Sequence, residues 1–154
     1  MKKSNREDTL LLAIGNSGRQ DDGLGWAFAE AVEKAGFFKG QIHYRYQLQV
    51  EDADLVAQAG EVIFVDACKG ELPEGYAWRP CSPAPVFHFS THALPPESIL
   101  FLCENLFGKR PESHCLLIQG LQWELSTGLS APASAHLADA LLFFEMKCKS
   151  EAAY

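Results

Sequence analysis

The sequence lacks the features that would direct it to a membrane or to nucleic acid. No apolar run approaches the roughly 20 residues of a membrane-spanning helix. The charged N-terminus is followed by an apolar run of residues 10–14 only, which is too short for a signal peptide. Basic residues are scarce, since 13 Lys and Arg stand against 20 Asp and Glu and leave a net charge of −7. Nucleic acid and anionic membranes require a basic surface, so we expect neither as a partner.

Paired cysteines are also lacking. The cysteine count of five is odd and includes no CxxC pair, which excludes a zinc ribbon and a thioredoxin-type redox motif. Each cysteine lies in or beside an apolar run, which predicts buried free thiols. Free thiols fit a reducing compartment, and we therefore expect a cytoplasmic protein. The five residues are Cys68, Cys81, Cys103, Cys115 and Cys148.

The composition is that of a soluble globular protein. Hydrophobic residues make up 47% of the chain and charged residues 21%, which are ordinary values for a globular domain. The 154 residues contain no internal repeat and no low-complexity tract, and domains cluster at about 100–150 residues. We therefore predict one domain, residues 1–154, and expect it to be a monomer.

Five segments have the patterns of β-strands. Continuous apolar runs at 9–14, 62–65 and 115–118 predict strands that are covered on both faces. Apolar and polar residues alternate over 42–50, which predicts a half-buried strand near a sheet edge. Residues 76–79 form a weaker strand pattern with no helix before it, and we expect this strand to be antiparallel.

Helical patterns lie between these strands. Apolar residues at 3.6-residue spacing predict helices over 23–36 and 132–147, and a short helix is predicted over 51–59. Pro95 and Pro96 suit the first turn of a further helix, whose apolar stripe contains Ile99, Leu100, Cys103, Leu106 and Phe107. Alternating strands and helices imply an α/β fold. We predict a single three-layer domain in which a twisted, mostly parallel five-stranded sheet has helices on both faces.

Ligands of such sheets bind outside the carboxyl ends of the strands, and polar side chains follow two of the predicted strands. The loop 15–25 contains four glycines but matches neither GxGxxG nor a GK[ST] phosphate loop. Its Asp22 has two open interpretations, a helix cap or a functional carboxylate. Asp66 ends a buried strand, where a carboxylate needs a partner, and it is either part of a hydrogen-bonded turn or an active-site residue.

Two histidines lie near the start of the predicted third helix. His88 and His92 are four residues apart, but a joint metal site at this spacing requires a helix, and prolines flank the pair. A single ligand is more plausible, and His92 lies just before the helix start. We interpret His43 and His114 as residues that flank strands and His136 as an exposed helix position, and each of them as structural or solvated.

Asp22, Asp66 and one of these histidines would form a set of two carboxylates and one imidazole. Those ligand types suit a borderline divalent ion such as zinc or nickel. Three protein ligands leave a coordination position open for water or substrate, which is typical of a catalytic or sensing site.

Several segments, in chain order, resemble the signatures of the [NiFe]-hydrogenase maturation endopeptidases. Residues 12–16 (Leu-Ala-Ile-Gly-Asn) followed by 21–25 (Asp-Asp-Gly-Leu-Gly) resemble the family's opening motif. Residues 62–67 (Val-Ile-Phe-Val-Asp-Ala) resemble the second motif, and 90–94 (Ser-Thr-His-Ala-Leu) the third. Gly120, residues 128–130 and a final helix are similar to its C-terminal pattern.

The resemblance implies a fold, an activity and a site. Members of this family remove a C-terminal extension from the hydrogenase large-subunit precursor after nickel insertion, and their fold is a twisted, mainly parallel sheet between helices. The family's three metal-contacting positions match Asp22, Asp66 and His92, and Asp22 and Asp66 are also the catalytic candidates. The nickel is carried by the substrate, so no permanent cofactor is expected. The resemblance leaves open whether a metal-bound water or a carboxylate base cleaves the peptide.

One segment departs from the family pattern, and two other functions stay open. Family members commonly have an Asp-Gly-Gly-Thr-type stretch after the second strand, where residues 47–52 read Gln-Leu-Gln-Val-Glu-Asp. This departure fits a subgroup that serves a different hydrogenase. One alternative function is a phosphoacceptor (receiver-like) signalling domain, although residues 120–122 lack the lysine that such a domain needs. The other is a relative that docks on a hydrogenase without cutting it.

Overall fold

A computed structural model describes residues 6–87 and 93–152, with side chains to residue 150, and has a five-stranded sheet between two layers of helices. The strands are β1 Thr9–Ile14, β2 Gln41–Arg45, β3 Glu61–Cys68, β4 Tyr76–Pro80 and β5 Glu112–Gln119. The helices are α1 Leu24–Ala35, α2 Asp52–Ala57, α3 Pro96–Phe107 and α4 Ala131–Ala152. A 3-10 turn, Gln20–Gly23, precedes α1. The prediction of an α/β fold with a mostly parallel five-stranded sheet is confirmed.

The strand order across the sheet is β2-β1-β3-β5-β4. The pairs β1–β2, β1–β3 and β3–β5 are parallel, whereas β4 runs antiparallel to β5, as the sequence predicts. The chain adds β2 on one side of β1 and then returns to place β3 on its other side. The carboxyl ends of β1 and β3 therefore border the switch point at which sheets of this kind bind ligands.

Two hydrophobic cores cover the two faces of the sheet. Leu11 of β1 and Ile63 of β3 face the core that includes α1 and α4. Their neighbours Leu12 and Phe64 face the opposite core, which includes α2 and α3. Because both faces are covered, residues 10–14 of β1 and 62–65 of β3 are all apolar. This explains the continuous apolar runs in the sequence.

The predicted edge strand 42–50 is too long. The structure ends β2 at Arg45, because the buried carboxylate of Asp52 ties the following residues into a turn. Its oxygens accept hydrogen bonds from Arg45 Nε at 2.9 Å and from the Gln49 amide at 3.0 Å. Leu48, within this turn, is 2% exposed and packs into the core that includes α2.

Other local predictions are corrected. The strand containing Asp66 does not end there, because β5 pairs with it as far as Cys68. Leu106 and Phe107 are 61% and 44% exposed, so they lie outside the buried stripe of α3. His136 is half-buried rather than exposed, since its Nδ1 lies 2.8 Å from the Gln119 carbonyl oxygen.

The cysteine prediction is correct in part. Cys103 and Cys148 are buried thiols that form no disulfide, whereas the other three cysteines are only half-buried. No helix within the described residues is both long and apolar enough to span a membrane.

Candidate active site

A cleft of about 500 Å³ lies at the carboxyl edge of β1 and β3. Its walls come from four parts of the chain, which are the end of β1 with the 3-10 turn, the loop after β2, β3 itself, and the residues around the start of α3. Asp22 and Asp66 both line it, together with Ile14, Gly15, Tyr46, Gln47, Leu48, Val86, Ala93, Leu94, Pro95, Pro96 and Glu97. The structure therefore brings the two predicted carboxylates into one cleft.

Asp66 is held in an environment that disfavours its charge. Burial raises the pKa of Asp66 from 3.8 to about 7, and the negative charge of Asp22 adds to this rise. The amide of Ala67 donates a hydrogen bond of 2.8 Å to Asp66 Oδ1, which opposes the rise only in part. The carboxyl group is therefore poised to lose its proton near neutral pH.

Asp22 is the more readily ionised member of the pair. Burial raises its pKa, while the charges of Arg19 and Lys69 and the backbone amide of Asn16 act in the opposite direction. Its side chain makes no capping hydrogen bond, since α1 begins at the N-cap Gly23 without a side-chain cap. The helix-cap interpretation of Asp22 is therefore wrong, and Asp22 instead lines the cleft.

Two glycines bring Asp22 to the end of the sheet. Gly15 has a φ of +151°, and a Cβ at this position would collide with the Asp22 carbonyl, which accepts a hydrogen bond of 3.0 Å from the Asn16 amide. Gly25 lies against the carbonyl oxygens of Ile14 and Val65, leaving no space for a side chain. The first turn of α1 consequently packs directly on the ends of β1 and β3.

Asp21 is adjacent to Asp22 but has a different role, which the sequence did not reveal. Its carboxylate is fully buried and accepts hydrogen bonds from the amides of Leu121, Gln122 and Ser130 and from the Ser130 hydroxyl, at 2.7–2.9 Å. Burial alone would raise the pKa of Asp21, but these hydrogen bonds outweigh it and lower the pKa. Asp21 therefore joins the loop after β5 to the 3-10 turn.

Solved structures similar to this chain include hydrogenase maturation enzymes. A hydrogenase-maturating endopeptidase, HybD, of E. coli has a TM-score of 0.72 at 19% identity, with 92% of each chain covered. The [NiFe] hydrogenase maturation protease HycI of Thermococcus kodakarensis has a TM-score of 0.70 at 18% identity, with 95% of each chain covered. The chain has the fold of the hydrogenase maturation endopeptidases.

This likeness confirms the fold that the sequence motifs implied. A hydrogenase 3 maturation protease is also similar, with a TM-score of 0.65 at 22% identity over 87% of this chain and 86% of that one. No family model and no curated protein matches the chain. Identities of 18–22% establish a maturation-endopeptidase fold, and a fold does not by itself fix a function.

The third predicted metal contact, His92, lies outside the described residues, as does His88. Ala93, the residue that follows His92, lines the cleft of the maturation-endopeptidase fold. The other histidines are elsewhere: His43 is on the edge strand β2, and His114 stacks on Trp78 at 4.6 Å.

Cys68, the cysteine nearest to Asp66 in sequence, does not line the cleft. Its Sγ lies 3.8 Å from the Gly70 carbonyl oxygen, and its own carbonyl accepts a hydrogen bond from the Gly120 amide at 2.9 Å. Cys68 thus belongs to the connection between β3 and the loop after β5.

The raised pKa of Asp66 predicts how the stability of the metal-free protein depends on pH. A carboxyl group whose pKa is higher in the folded state stabilises the fold below its unfolded pKa, and this contribution is lost as pH rises through the folded pKa. For Asp66 the loss occurs between about pH 4 and about pH 7. The amide of Asp66→Asn cannot ionise, so the variant does not suffer this loss. It should therefore be more stable than the wild type above about pH 7, by about 2–4 kcal/mol.

Urea unfolding in the presence of a chelator, at a series of pH values, measures this difference. The free energies of unfolding of the two proteins should be close at about pH 4 and should diverge as pH rises. A difference that does not change with pH would contradict the assigned environment of Asp66.

Proposed function

We propose that this protein is an endopeptidase that removes the C-terminal extension from a nickel-loaded [NiFe]-hydrogenase large-subunit precursor. The observation that carries the proposal is the carboxylate pair Asp22 and Asp66, which share one cleft at the switch point of a maturation-endopeptidase fold. The ordered resemblance of the sequence motifs supports the same activity and adds His92 to the site.

The nickel ion belongs to the substrate in this proposal. Asp22, Asp66 and His92 recognise it on the precursor, because carboxylate and imidazole ligands suit a borderline divalent ion. A cation in the cleft also relieves the repulsion between the two carboxylates, which raises the pKa of Asp66 in its absence. Nickel-loaded precursor should therefore bind better than the nickel-free form.

Asp22 and Asp66 have different roles in the proposed hydrolysis. Asp22 serves only as a nickel contact, and the positive charges of Arg19 and Lys69 favour its ionised form against the effect of burial. Asp66 can serve as the general base when it does not coordinate the nickel ion, since its pKa of about 7 in the metal-free cleft suits proton transfer near neutral pH. It can accept the proton of the attacking water, while the nickel ion positions the peptide or polarises its carbonyl group.

The test compares a nickel-loaded precursor with a nickel-free one. After incubation with this protein, the nickel-loaded large subunit should shift to a smaller size, and the nickel-free form should stay unprocessed. Complex formation without a size shift would favour a docking relative that does not cut. Equal processing of both forms would contradict nickel recognition.

The structure offers no support for a phosphoacceptor domain. Such a domain would use the acid pair after β1 together with a lysine after the last parallel strand. Here the carboxylate of Asp21 accepts hydrogen bonds from the amides of Leu121 and Gln122. These two residues follow β5, where such a domain would have its lysine. We therefore do not propose this function.

A further inference from the structure

Three potential metal ligands meet beside the candidate active site. The Sγ of Cys81 lies 3.6 Å from Oε1 of Glu97. The ligand atoms of Cys81, Glu97 and Cys115 all lie within 4.8 Å of one another. These residues are far apart in the sequence, and their meeting depends on the fold.

Strand register places the two thiols on one face of the sheet. The antiparallel pairing of β4 with β5 aligns Pro80 with His114. The Cys81 amide extends this pairing by one residue, because it donates a hydrogen bond of 2.9 Å to the Ser113 carbonyl. Cys81 is thus opposite Ser113, and Cys115 is the next residue of β5 on the same face, a diagonal neighbour. Glu97, in the first turn of α3, covers this face.

We propose that Cys81, Cys115 and Glu97 bind one zinc-type divalent cation, with a fourth position open to solvent. In a tetrahedral site with Zn–S of about 2.3 Å and Zn–O of about 2.0–2.2 Å, sulfur and oxygen ligands are about 3.5–3.7 Å apart and two sulfurs about 3.8 Å. The distance of 3.6 Å between the Cys81 sulfur and the Glu97 carboxylate oxygen matches the tetrahedral sulfur–oxygen distance. The three ligand atoms all lie within 4.8 Å of one another, so the two sulfurs need only a small approach to reach the tetrahedral sulfur–sulfur distance.

Binding of a cation to this cluster requires both thiols to lose their protons. The hydrogen bond with Cys115, burial and the charge of Glu97 together raise the pKa of the Cys81 thiol well above its ordinary value. Without a cation the thiol therefore keeps its proton and donates a hydrogen bond to Oε1 of Glu97. Binding of a divalent ion would release the protons of both Cys81 and Cys115 to solvent and stabilise the two thiolates, as thiolate ligation of zinc requires.

This site is distinct from the proposed nickel contacts and does not depend on the proposed function. Its ligands include two sulfurs, whereas the active-site set has only oxygen and nitrogen donors. The proposed zinc site and the active-site cleft are connected through Glu97, which also lines the cleft. A resident ion would fix Glu97, and with it the first turn of α3, against β4 and β5.

Cobalt(II) is the probe for this site, because thiolate ligands give it an intense sulfur-to-cobalt charge-transfer absorption. The reduced, chelator-treated full-length chain should develop this absorption, saturate at one equivalent of Co²⁺ and lose it when Zn²⁺ is added. Cys81→Ser and Cys115→Ser should lose the absorption at one equivalent. Glu97→Gln should keep a thiolate signal but bind at least about tenfold more weakly.

Control measurements separate metal binding from a loss of folding. Cys68→Ser removes a half-buried thiol outside the cluster and should bind Co²⁺ as the wild type does, and so should Asp66→Asn. In the wild type, Zn²⁺ should protect Cys81 and Cys115 from iodoacetamide and leave the alkylation of Cys68 unchanged. The proposal is overturned if no thiolate absorption develops, if Cys81→Ser retains it, or if the two thiols form a disulfide in the presence of Zn²⁺.

Discussion

Replacing either cleft carboxylate by its amide should abolish processing of the nickel-loaded precursor. Asp22→Asn and Asp66→Asn keep the size of the side chain but remove a negatively charged nickel contact, and Asp66→Asn also removes the proposed general base. Loss of a general base alone typically lowers the rate by about 10²–10⁴-fold. We therefore expect each variant to process the precursor at least about 100-fold more slowly than the wild type.

The time course of large-subunit processing measures this effect, and stability provides its internal control. Asp66→Asn should be more stable than the wild type above about pH 7, so its loss of activity cannot result from unfolding. Asp139→Asn changes an exposed carboxylate on α4 and should leave the rate unchanged. If Asp66→Asn processed the precursor at the wild-type rate, the assignment of the active site would be wrong.

Asp21→Ala should destabilise the protein far more than the same substitution of its neighbour Asp22. The change leaves the amides of Leu121, Gln122 and Ser130 without their carboxylate partner. It also opens a cavity where the side chain is fully buried. A buried donor left without its partner typically costs about 1–3 kcal/mol, and because three amides lose theirs, we expect the free energy of unfolding to decrease by about 3–5 kcal/mol.

Urea unfolding of three variants tests this division of roles. Ser130→Ala removes only the hydroxyl, which donates to Asp21 Oδ2 at 2.7 Å, and should cost about 1–3 kcal/mol. Asp22→Ala should be neutral or stabilising, because the fold raises the pKa of Asp22 and so disfavours its charge. A cost below about 1 kcal/mol for Asp21→Ala would contradict the structural role of this residue.

The central strands could be predicted from the sequence because their burial leaves a one-dimensional pattern. Strands β1 and β3 are covered on both faces, so continuous apolar runs mark them without knowledge of the fold. Gly36 stops α1 in the left-handed conformation, and Pro96 begins α3, and both are local signals. The end of β2 was missed because it depends on Asp52, which reaches back to Arg45 from the next helix.

The carboxylates of the candidate site were predictable only in part. Asp22 and Asp66 follow from the rule that ligands bind at the carboxyl ends of parallel strands. The difference between Asp21 and Asp22 was not predictable, since it is determined by residues 121–130, about a hundred positions further along the chain. The cluster of Cys81, Cys115 and Glu97 was hidden for a similar reason, because it requires the register between β4 and β5.

The intact mass of the large subunit is the most direct test of the central claim that this protein cleaves a nickel-loaded precursor. After incubation of that precursor with the wild-type protein, we predict a single lighter species whose mass difference corresponds to one C-terminal segment. The nickel-free precursor, treated in the same way, should keep its full mass. An unchanged mass of the nickel-loaded precursor, or the same loss from both precursors, would contradict the account.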